Sequence, residues 1–565
     1  MKIKWGIIIV LLLSLVLRVY RLGDVPVSLF GDEVDASYHA WSLATTLRDY
    51  RGHFLPSYIQ SLSEWRAPLE MYVVAPFVGL LGPSTFAARL PMAILGVLSV
   101  YLTYLITNLL FPKKISLGKK HELDTGLITA FILALTPWHF HYTRNVVEQP
   151  PLFVLILLGV YFYLKACDKA YCYALSLLAF ILTFYTYSIA NLATPIIVLI
   201  LLFCIPPKIK EVIKKNTLGL LLITSLAILP IAYQIVLGQA AGRFKFINIA
   251  NDRSTLDQIV LDRNRPWLES PLLEKVMNNK LTAIGGGFIS NYLTSLSPQF
   301  LFLDGDPNYR QSVDHFGVFL LALAPFLLIG IYVLVRNIKD RANLFPLLWL
   351  LLIPVGSSLT QGGGSHASRL FLMNFPFVVI TSVGLARVIS LIKEKIRPFV
   401  AVAILLVVVV NFSAYFYRYF NHYAYESSHV WQYGYEQLFG RSRDLVANAD
   451  RVFINNTNEP SLYRFAFYLP IKPGDFQKDF TTDIPTPNLL PGFSGFVFGD
   501  KYYFGQADSF EAMINLIQPG DLYFASQRME VPGDWDLEKS PPSGVKVLLT
   551  VRDFYQRPLF YVLGK

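Results

Sequence analysis

The sequence predicts an α-helical membrane protein with many spans, followed by a soluble α/β domain. Of the 565 residues, 54% are hydrophobic and only 16% are Asp, Glu, Lys or Arg, and the mean hydropathy is +0.44. In soluble domains, about a quarter of all residues are charged. A chain so poor in charge is expected to place most of its surface in lipid. After about residue 419 the composition becomes that of a soluble protein, so we divide the chain at 1–418 and 419–565.

The membrane region is predicted to contain about eleven transmembrane helices, because about 20 apolar residues are needed to cross a bilayer. No small-residue cleavage site follows the first run, so we expect it to remain as a span. The runs cover residues 6–20, 86–110, 125–142, 150–166, 171–189, 192–206, 217–237, 314–335, 344–360, 370–389 and 398–418.

Basic residues in alternate loops predict the orientation. Lys and Arg cluster in the loops 113–120, 208–215, 336–341 and 393–397, and such clusters mark the cytoplasmic side. We therefore expect a multi-pass protein of the plasma membrane with a cytoplasmic N-terminus. The long loops 21–85 and 238–313 and the C-terminal domain would then be extracytoplasmic.

The net charge of +10 comes largely from these loop clusters. Without a basic face interleaved with aromatic residues, it excludes nucleic acid as a partner. The three cysteines lie in or beside apolar runs and give no disulfide framework.

Short strand patterns alternate with helical patterns in the C-terminal domain, which is typical of an α/β fold. The helical patterns cover 460–469 and 509–517, and segment 554–562 is expected to pair with the strand before it. The strand patterns are at 451–455, 501–504, 521–524 and 546–551.

Asp32 and Glu33 are the first candidates for a functional site. These adjacent carboxylates begin a predicted amphipathic helix over 32–49 that also carries Tyr38 and His39. Ionisable groups beside a membrane are usually functional or paired. The two acids could accept a proton, bind a cation, or favour the positive end of the helix dipole.

Arg66 and Arg144 are candidates on the same predicted face. Arg66 follows Trp65 and precedes a helix predicted to start after Pro68, where it could hold an anion or lie at the lipid interface. Arg144 follows His141 and could pair with Glu148 four residues later on one helical face.

A glycine-rich loop, Gly362–Gly364, precedes His366 and Arg369. It does not match a nucleotide-binding loop, which ends in Lys followed by Ser or Thr, but it suits a phosphate or sugar. Together the candidate groups describe an acid and several cations on one membrane face, suited to a phosphate-bearing substrate.

Five short motifs occur in an order and at spacings that resemble those of the dolichyl-phosphate-mannose protein mannosyltransferase-like family. Bacterial aminoarabinose lipid A transferases share this pattern. The similarity is strongest over residues 15–160. The motifs are Leu17–Gly23 followed by Asp32-Glu33, Arg66–Leu69, Phe86–Pro91, His141–Arg144 and His366–Arg369.

The resemblance implies the GT-C fold and transfer of a sugar from a polyprenyl-phosphate carrier to an extracytoplasmic acceptor. Asp32 would be the general base of an inverting reaction, and Glu33 would support it. Arg66 and Arg144 would bind the donor phosphate, and His366 and Arg369 are further candidates for that role.

Sugar or acceptor contacts are expected from Tyr38, His39, Trp65, His141 and Glu148. The acceptor is left open as a protein, a lipid or a glycan. No cofactor is required by the sequence, and the participation of a divalent metal is also left open.

A transporter or flippase of lipid-linked or sugar substrates is the alternative. It should carry charges within its spans, whereas here the mid-span regions are nearly free of charge and the candidate groups collect on one face. A receptor that only binds would leave Asp32, Arg66 and Arg144 without a common purpose.

Overall fold

A computed structural model describes most of the chain. It covers residues 5–61, 64–117, 122–166, 169, 171–207, six positions between 219 and 229, 248–251, 253–264, 271–456 and 460–565. Most of the predicted span 217–237 and part of the predicted loop 238–313 lie outside these residues.

Helices dominate the chain up to residue 423. In the first 205 residues they are α1 (Trp5–Val19), α2 (Gly31–Thr46), α3 (Leu69–Leu81), α4 (Thr85–Leu110), α5 (Thr125–Leu135), α6 (Pro137–Tyr142), α7 (Gln149–Lys165), α8 (Cys172–Thr183) and α9 (Ala190–Cys204). The next are α10 (Arg253–Arg263), α11 (Pro271–Met277), α12 (Lys280–Ser295), α13 (Ala324–Arg336), α14 (Arg341–Leu352), α15 (Pro354–Ser358), α16 (Ala367–Leu370), α17 (Asn374–Leu391) and α18 (Arg397–Arg418).

Among the described residues, four helical stretches are long and apolar enough to cross a membrane: Thr85–Leu110, Arg341–Ser358, Ala367–Leu391 and Arg397–Glu426. They confirm the predicted helical runs at 86–110, 344–360, 370–389 and 398–418. Seven more apolar helices are shorter, with 10–17 residues. The expected number of about eleven spans and the orientation in the bilayer stay predictions.

The predicted run 125–142 forms two helices rather than one, because the chain turns to extended backbone at Thr136 before Pro137 opens α6. Proline has no N–H to donate and pushes the preceding residue out of the helical conformation. The break separates the apolar part of this run from the polar residues His139 and His141.

The chain divides into two compact units. The first comprises Met1–Tyr20, Glu64–Leu69 and Met92–Tyr423, and the second comprises Arg21–Ser63, Glu70–Pro91 and Ala424–Lys565. The second unit therefore contains the predicted soluble domain and most of the predicted loop 21–85.

In the first unit, helices α13 and α17 cross at glycines. A Cβ atom at Gly384 would lie 1.9 Å from the carbonyl oxygen of Phe326, and one at Gly330 would lie 2.0 Å from that of Ile380. Small residues let helix backbones approach closely, which is how apolar helices pack without a hydrophobic driving force between them.

We predict that Gly384→Ala lowers the free energy of unfolding by about 1–3 kcal/mol, the usual cost of overpacking, because backbone must move to make room. The matched control is Gly285→Ala on α12, where a Cβ meets nothing within 4 Å and alanine favours the helix. Thermal unfolding of the purified proteins measures both. Equal melting temperatures for the two variants would contradict the close crossing.

The second unit is built on a seven-stranded mixed sheet, whose strands are β5 (Val452–Asn455), β6 (Thr486–Leu490), β7 (Phe493–Phe498), β8 (Tyr502–Ala507), β9 (Leu522–Ser526), β10 (Lys546–Arg552) and β11 (Pro558–Gly564). Shorter strands elsewhere are β1 (Ile59–Ser61), β2 (Glu64–Arg66), β3 (Lys114–Ser116) and β4 (Glu122–Asp124). The order of the strands in the seven-stranded sheet is β10-β11-β9-β5-β8-β7-β6. β5 is parallel to β8 and β9, and β10 is antiparallel to β11. The expected pairing of the last segment with the strand before it is confirmed.

Helices α19 (Tyr435–Arg441), α20 (Arg443–Asn448), α21 (Leu462–Tyr468), α22 (Pro473–Asp479) and α23 (Phe510–Leu516) complete this unit. The two faces of the sheet belong to different apolar clusters. Ile454 and Phe524 belong to a core that also contains Val34 and Tyr38 of α2. Phe453 and Tyr523 point to the opposite side, as the two-residue period of a strand requires. The helix that carries the acid pair is thus part of the hydrophobic core of the C-terminal sheet.

Candidate active site

The acid pair lies in the first turn of α2. The backbone N–H of Phe30 donates to Glu33 Oε2 at 2.9 Å, which satisfies a donor that the helix start would otherwise leave unpaired. Negative charge is also favoured at a helix N-terminus. The local sequence thus stabilises both acids at this position.

Arg89 binds Glu33 with two hydrogen bonds, from Nε at 3.2 Å and from Nη2 at 3.1 Å. The same guanidinium donates to the carbonyl oxygens of Pro26 at 2.8 Å and Ser28 at 2.6 Å. Arg89 and Glu33 are 0% and 1% exposed. A buried ion pair with its other donors satisfied holds the segment before α2 in place.

The two neighbouring acids therefore differ. Glu33 is enclosed and committed to Arg89, whereas Asp32 is only half-buried. Of the pair, Asp32 is the more accessible carboxylate.

A glutamine fixes the start of α2 within the same unit. Gln432 Oε1 accepts the Gly31 N–H at 2.9 Å and Arg464 Nη2 at 2.5 Å. A Cβ at residue 31 would lie 2.5 Å from Arg464 Nη2, so glycine at this position allows the arginine to approach. The residue before Asp32 is thus anchored to the C-terminal part of the chain.

We predict that Glu33→Gln lowers the free energy of unfolding by about 3–5 kcal/mol, since it leaves Arg89 as a buried charge without its carboxylate. Asp32→Asn should change it by about 1 kcal/mol or less, as most substitutions outside a packed core do. Melting curves of the two variants beside wild type measure the difference. A larger loss in Asp32→Asn than in Glu33→Gln would reverse the roles assigned to the two acids.

Tyr38 and His39 are fully buried. The Tyr38 hydroxyl donates to the carbonyl oxygen of Ile471 at 3.1 Å, and burial raises the pKa of this phenol above its ordinary value. The His39 ring stacks on Tyr50 at a centroid distance of 3.9 Å. Both residues contribute to the packing of α2. Their contact with a sugar or acceptor stays a prediction.

Arg66 and Glu148 form an ion pair in the first unit. Arg66 donates to Glu148 Oε1 from Nη2 at 2.7 Å and from Nε at 3.2 Å, and about 9% and 10% of these side chains are exposed. Trp65 beside them is half-buried. This partner of Glu148 lies 82 residues away in the sequence, and the pairing of Glu148 with Arg144 that their spacing predicts stays a prediction.

Arg144 is enclosed at the end of α1. Its Nη1 donates to the carbonyl oxygens of Leu17, Arg18 and Tyr20 at 3.1, 2.7 and 2.9 Å, and its exposed fraction is 0%. A cation at a helix C-terminus is favoured by the dipole and by the unpaired carbonyls. Binding of a donor phosphate by Arg144 stays a prediction.

Segment 306–311 connects two groups that the sequence placed far apart. His141 Nε2 donates to the carbonyl oxygen of Arg310 at 2.8 Å, and the Tyr142 hydroxyl bonds to the side chain of Gln311. Asp306 Oδ2 accepts the N–H of Ala367 at 2.9 Å. This segment thus brings the end of α6 together with the segment that carries His366 and Arg369.

Arg369 closes the glycine-rich loop. It donates to Thr360 Oγ1 at 2.6 Å and to the carbonyl oxygen of Gln361 at 2.9 Å. His366 Nδ1 lies 3.0 Å from Ser368 Oγ. Both His366 and Arg369 are half-buried, so they line this part of the first unit near the surface.

The sequence alone does not identify Asp306 as a candidate. Its pattern shows that the loop contains several acids, but it does not show which of them is buried. Burial raises its pKa, and the N–H donors of Ala367 and Asn308, with the charges of Arg310 and Arg369, oppose that rise only in part. The charges of Arg310 and Arg369 therefore both favour the ionised form of the buried Asp306 carboxylate.

We predict that the Asp306 carboxyl makes the stability of the protein depend on pH. A carboxyl whose pKa is raised in the folded state binds more protons folded than unfolded, so its contribution to stability falls as the pH rises through that range. Asp306→Asn keeps an acceptor oxygen but removes the ionisation. The melting temperature of the variant relative to wild type should therefore increase between about pH 4 and pH 7. A constant difference across this range would contradict the raised pKa.

Within the part of the chain that the structure describes, no cluster of three or more His, Cys, Asp or Glu side chains could hold a metal ion. Asp32 and Glu33 belong to the second unit, and Arg66, Arg144, Glu148, His366 and Arg369 belong to the first. The chemistry these groups can supply is proton acceptance at Asp32 and binding of an anion by the arginines.

Part of the chain matches the model of a known protein family. Residues 65–233 match the model of the dolichyl-phosphate-mannose-protein mannosyltransferase family. The match confirms the resemblance drawn from the motifs, three of which lie within these residues. A comparison with curated proteins found no match.

Comparison with solved structures found similarities at low sequence identity. ArnT from Cupriavidus metallidurans, crystallised bound to undecaprenyl phosphate, has 12% identity and a TM-score of 0.47, over 98% of this chain and 96% of that one. The oligosaccharyltransferase of Archaeoglobus fulgidus has 13% identity and a TM-score of 0.43, over 83% of this chain and 64% of its own length.

Proposed function

We propose that the protein is an inverting glycosyltransferase of the GT-C type, which moves a monosaccharide from a polyprenyl-phosphate carrier to an acceptor hydroxyl outside the cytoplasm. The observation that supports it most directly is the difference between the two acids. Glu33 is held by Arg89, and Asp32, its neighbour in the first helical turn, is half-exposed.

Asp32 is assigned the role of general base. It takes the proton of the acceptor hydroxyl as the acceptor oxygen bonds to the anomeric carbon and the bond from that carbon to the phosphate oxygen breaks. The lipid phosphate leaves with the electron pair. Because a phosphate ester is already a good leaving group, much of the rate should come from holding the reactants in position.

Arg66 is assigned to the departing phosphate, with His366 and Arg369 as further candidates. Fixed cations stabilise charge as it develops on a leaving group. The ion pair with Glu148 holds the Arg66 guanidinium in one orientation, and the bonds of Arg369 to residues 360 and 361 hold the second. Glu33 supports Asp32 indirectly, by fixing the helix start through Arg89.

We predict that Asp32→Asn abolishes sugar transfer and leaves the protein folded. The assay follows transfer from a panel of radiolabelled polyprenyl-phosphate sugars in membranes that contain wild type or variant. The matched control is Asp24→Asn, an exposed acid of the same unit that pairs with Arg21, which should keep full activity. Substantial turnover by Asp32→Asn would overturn its role as the base.

Binding of polyprenyl phosphate separates the transferase from the transporter if no donor in the panel reacts. Arg66→Ala should weaken binding at least tenfold, and Arg336→Ala, at an exposed helix end, should leave it unchanged. Wild type that binds no polyprenyl phosphate would argue against the transferase.

A further inference from the structure

The first unit contains an apolar cavity of about 390 Å³ between four helices. Its walls come from the first half of α1 and of α5, the second half of α17 and the first half of α18. All of its lining residues are apolar; they include Val10, Phe131, Ile389, Ala401 and Leu405. The cavity is open on one side, where Val402 and Leu405 are exposed, and its apolar walls offer no polar group that would keep water in place. Hydrocarbon is the material that suits it.

Loops rich in basic residues lie at one end of this cavity. Leu117, which follows β3, and Leu123 of β4 line the cavity, as does Pro398 at the start of α18. Arg397 Nη1 donates to the carbonyl oxygen of Ser116 at 3.1 Å, which joins the start of α18 to the hairpin. These contacts bring the loops 113–117 and 392–397 to the same end.

The charges at this end are predominantly positive. The acids are engaged within the protein: Glu122 pairs with Lys114 at 2.5 Å, Glu394 accepts from Ser116 at 2.6 Å, and Asp124 caps α5. The cations there are Lys113, Lys114, Lys393, Lys395 and Arg397, and all four lysines are exposed. Basic pockets between membrane helices on the cytoplasmic side suit the headgroups of anionic lipids.

We propose that this cavity, which we call the α1–α18 cavity, binds one acyl chain of an anionic glycerophospholipid from the cytoplasmic leaflet, whose headgroup lies against Lys393 and Lys395. The apolar walls receive the chain and the basic end selects the headgroup. The same basic loops are those that the sequence places in the cytoplasm, so the site is expected on the side of the membrane opposite to the sugar donor. The proposal is independent of the transferase assignment.

Native mass spectrometry of the full-length protein tests the cavity. Purified protein is incubated with phosphatidylglycerol or with phosphatidylcholine, and bound lipids are counted. Ala401→Phe places a phenyl ring in the path of the acyl chain and should lower phosphatidylglycerol binding at least tenfold. Ala403→Phe adds the same volume on the exposed side of α18, outside the lining residues, and should bind as wild type does.

A second matched pair guards against misfolding of one variant. Leu405→Trp lies in the lining and Leu406→Trp lies outside it; only the first should lose the lipid. Retention of phosphatidylglycerol by folded Ala401→Phe and Leu405→Trp would overturn the proposal.

The headgroup is tested by Lys393→Gln with Lys395→Gln. The preference for phosphatidylglycerol over phosphatidylcholine should fall several-fold, whereas Lys339→Gln, an exposed lysine in another loop, should leave it unchanged. Equal binding of the two lipids by wild type would refute an anionic site. Displacement of phosphatidylglycerol by polyprenyl phosphate, lost in Ala401→Phe, would assign the cavity to the donor lipid instead.

Discussion

The buried pair of Glu33 and Arg89 is the interaction on which the candidate site depends. One guanidinium binds the carboxylate of the helix start and two carbonyl oxygens of the segment before it. An arginine can do this because its planar group offers five donors in fixed directions. The pair leaves Asp32 as the more accessible acid by fixing its neighbour in the interior. An acid that must accept a proton at a defined point gains from such a rigid support.

The C-terminal sheet extends the same support. Val34 and Tyr38 of α2 share a hydrophobic core with Ile454, Phe504 and Phe524 of the sheet. Burial of such side chains contributes about 1.5–3 kcal/mol each, far more than a surface contact. The C-terminal segment is therefore part of the structure that holds Asp32, in addition to any role in choosing the acceptor.

Local patterns predicted several of the helices and strands. The apolar run 86–110 became the helix Thr85–Leu110, and the helix at Asp32 and the last β-hairpin were found at their expected positions. The family resemblance rested on short motifs in order, and the family match over 65–233 agrees with it. Periodicity and composition carry this information because they report what one segment must bury.

Partners distant in the chain could not be predicted in this way. Glu148 pairs with Arg66 across 82 residues, and Asp306 accepts from Ala367 across 61. Arg144 has the residue type of a phosphate ligand, yet its neighbours in the sequence do not reveal that it donates to three backbone carbonyls at the end of α1 and just beyond it. Such contacts depend on tertiary packing, which the spacing of residues along one sequence does not reveal.

The stereochemistry of transfer tests the central claim most directly. The anomeric configuration of the sugar in the purified product, determined by NMR and compared with that of the donor, reports how many displacements occurred. A single displacement assisted by Asp32 as base predicts inversion at the anomeric carbon. Retention would require a covalent sugar–enzyme intermediate or another route, and it would contradict the mechanism assigned to Asp32.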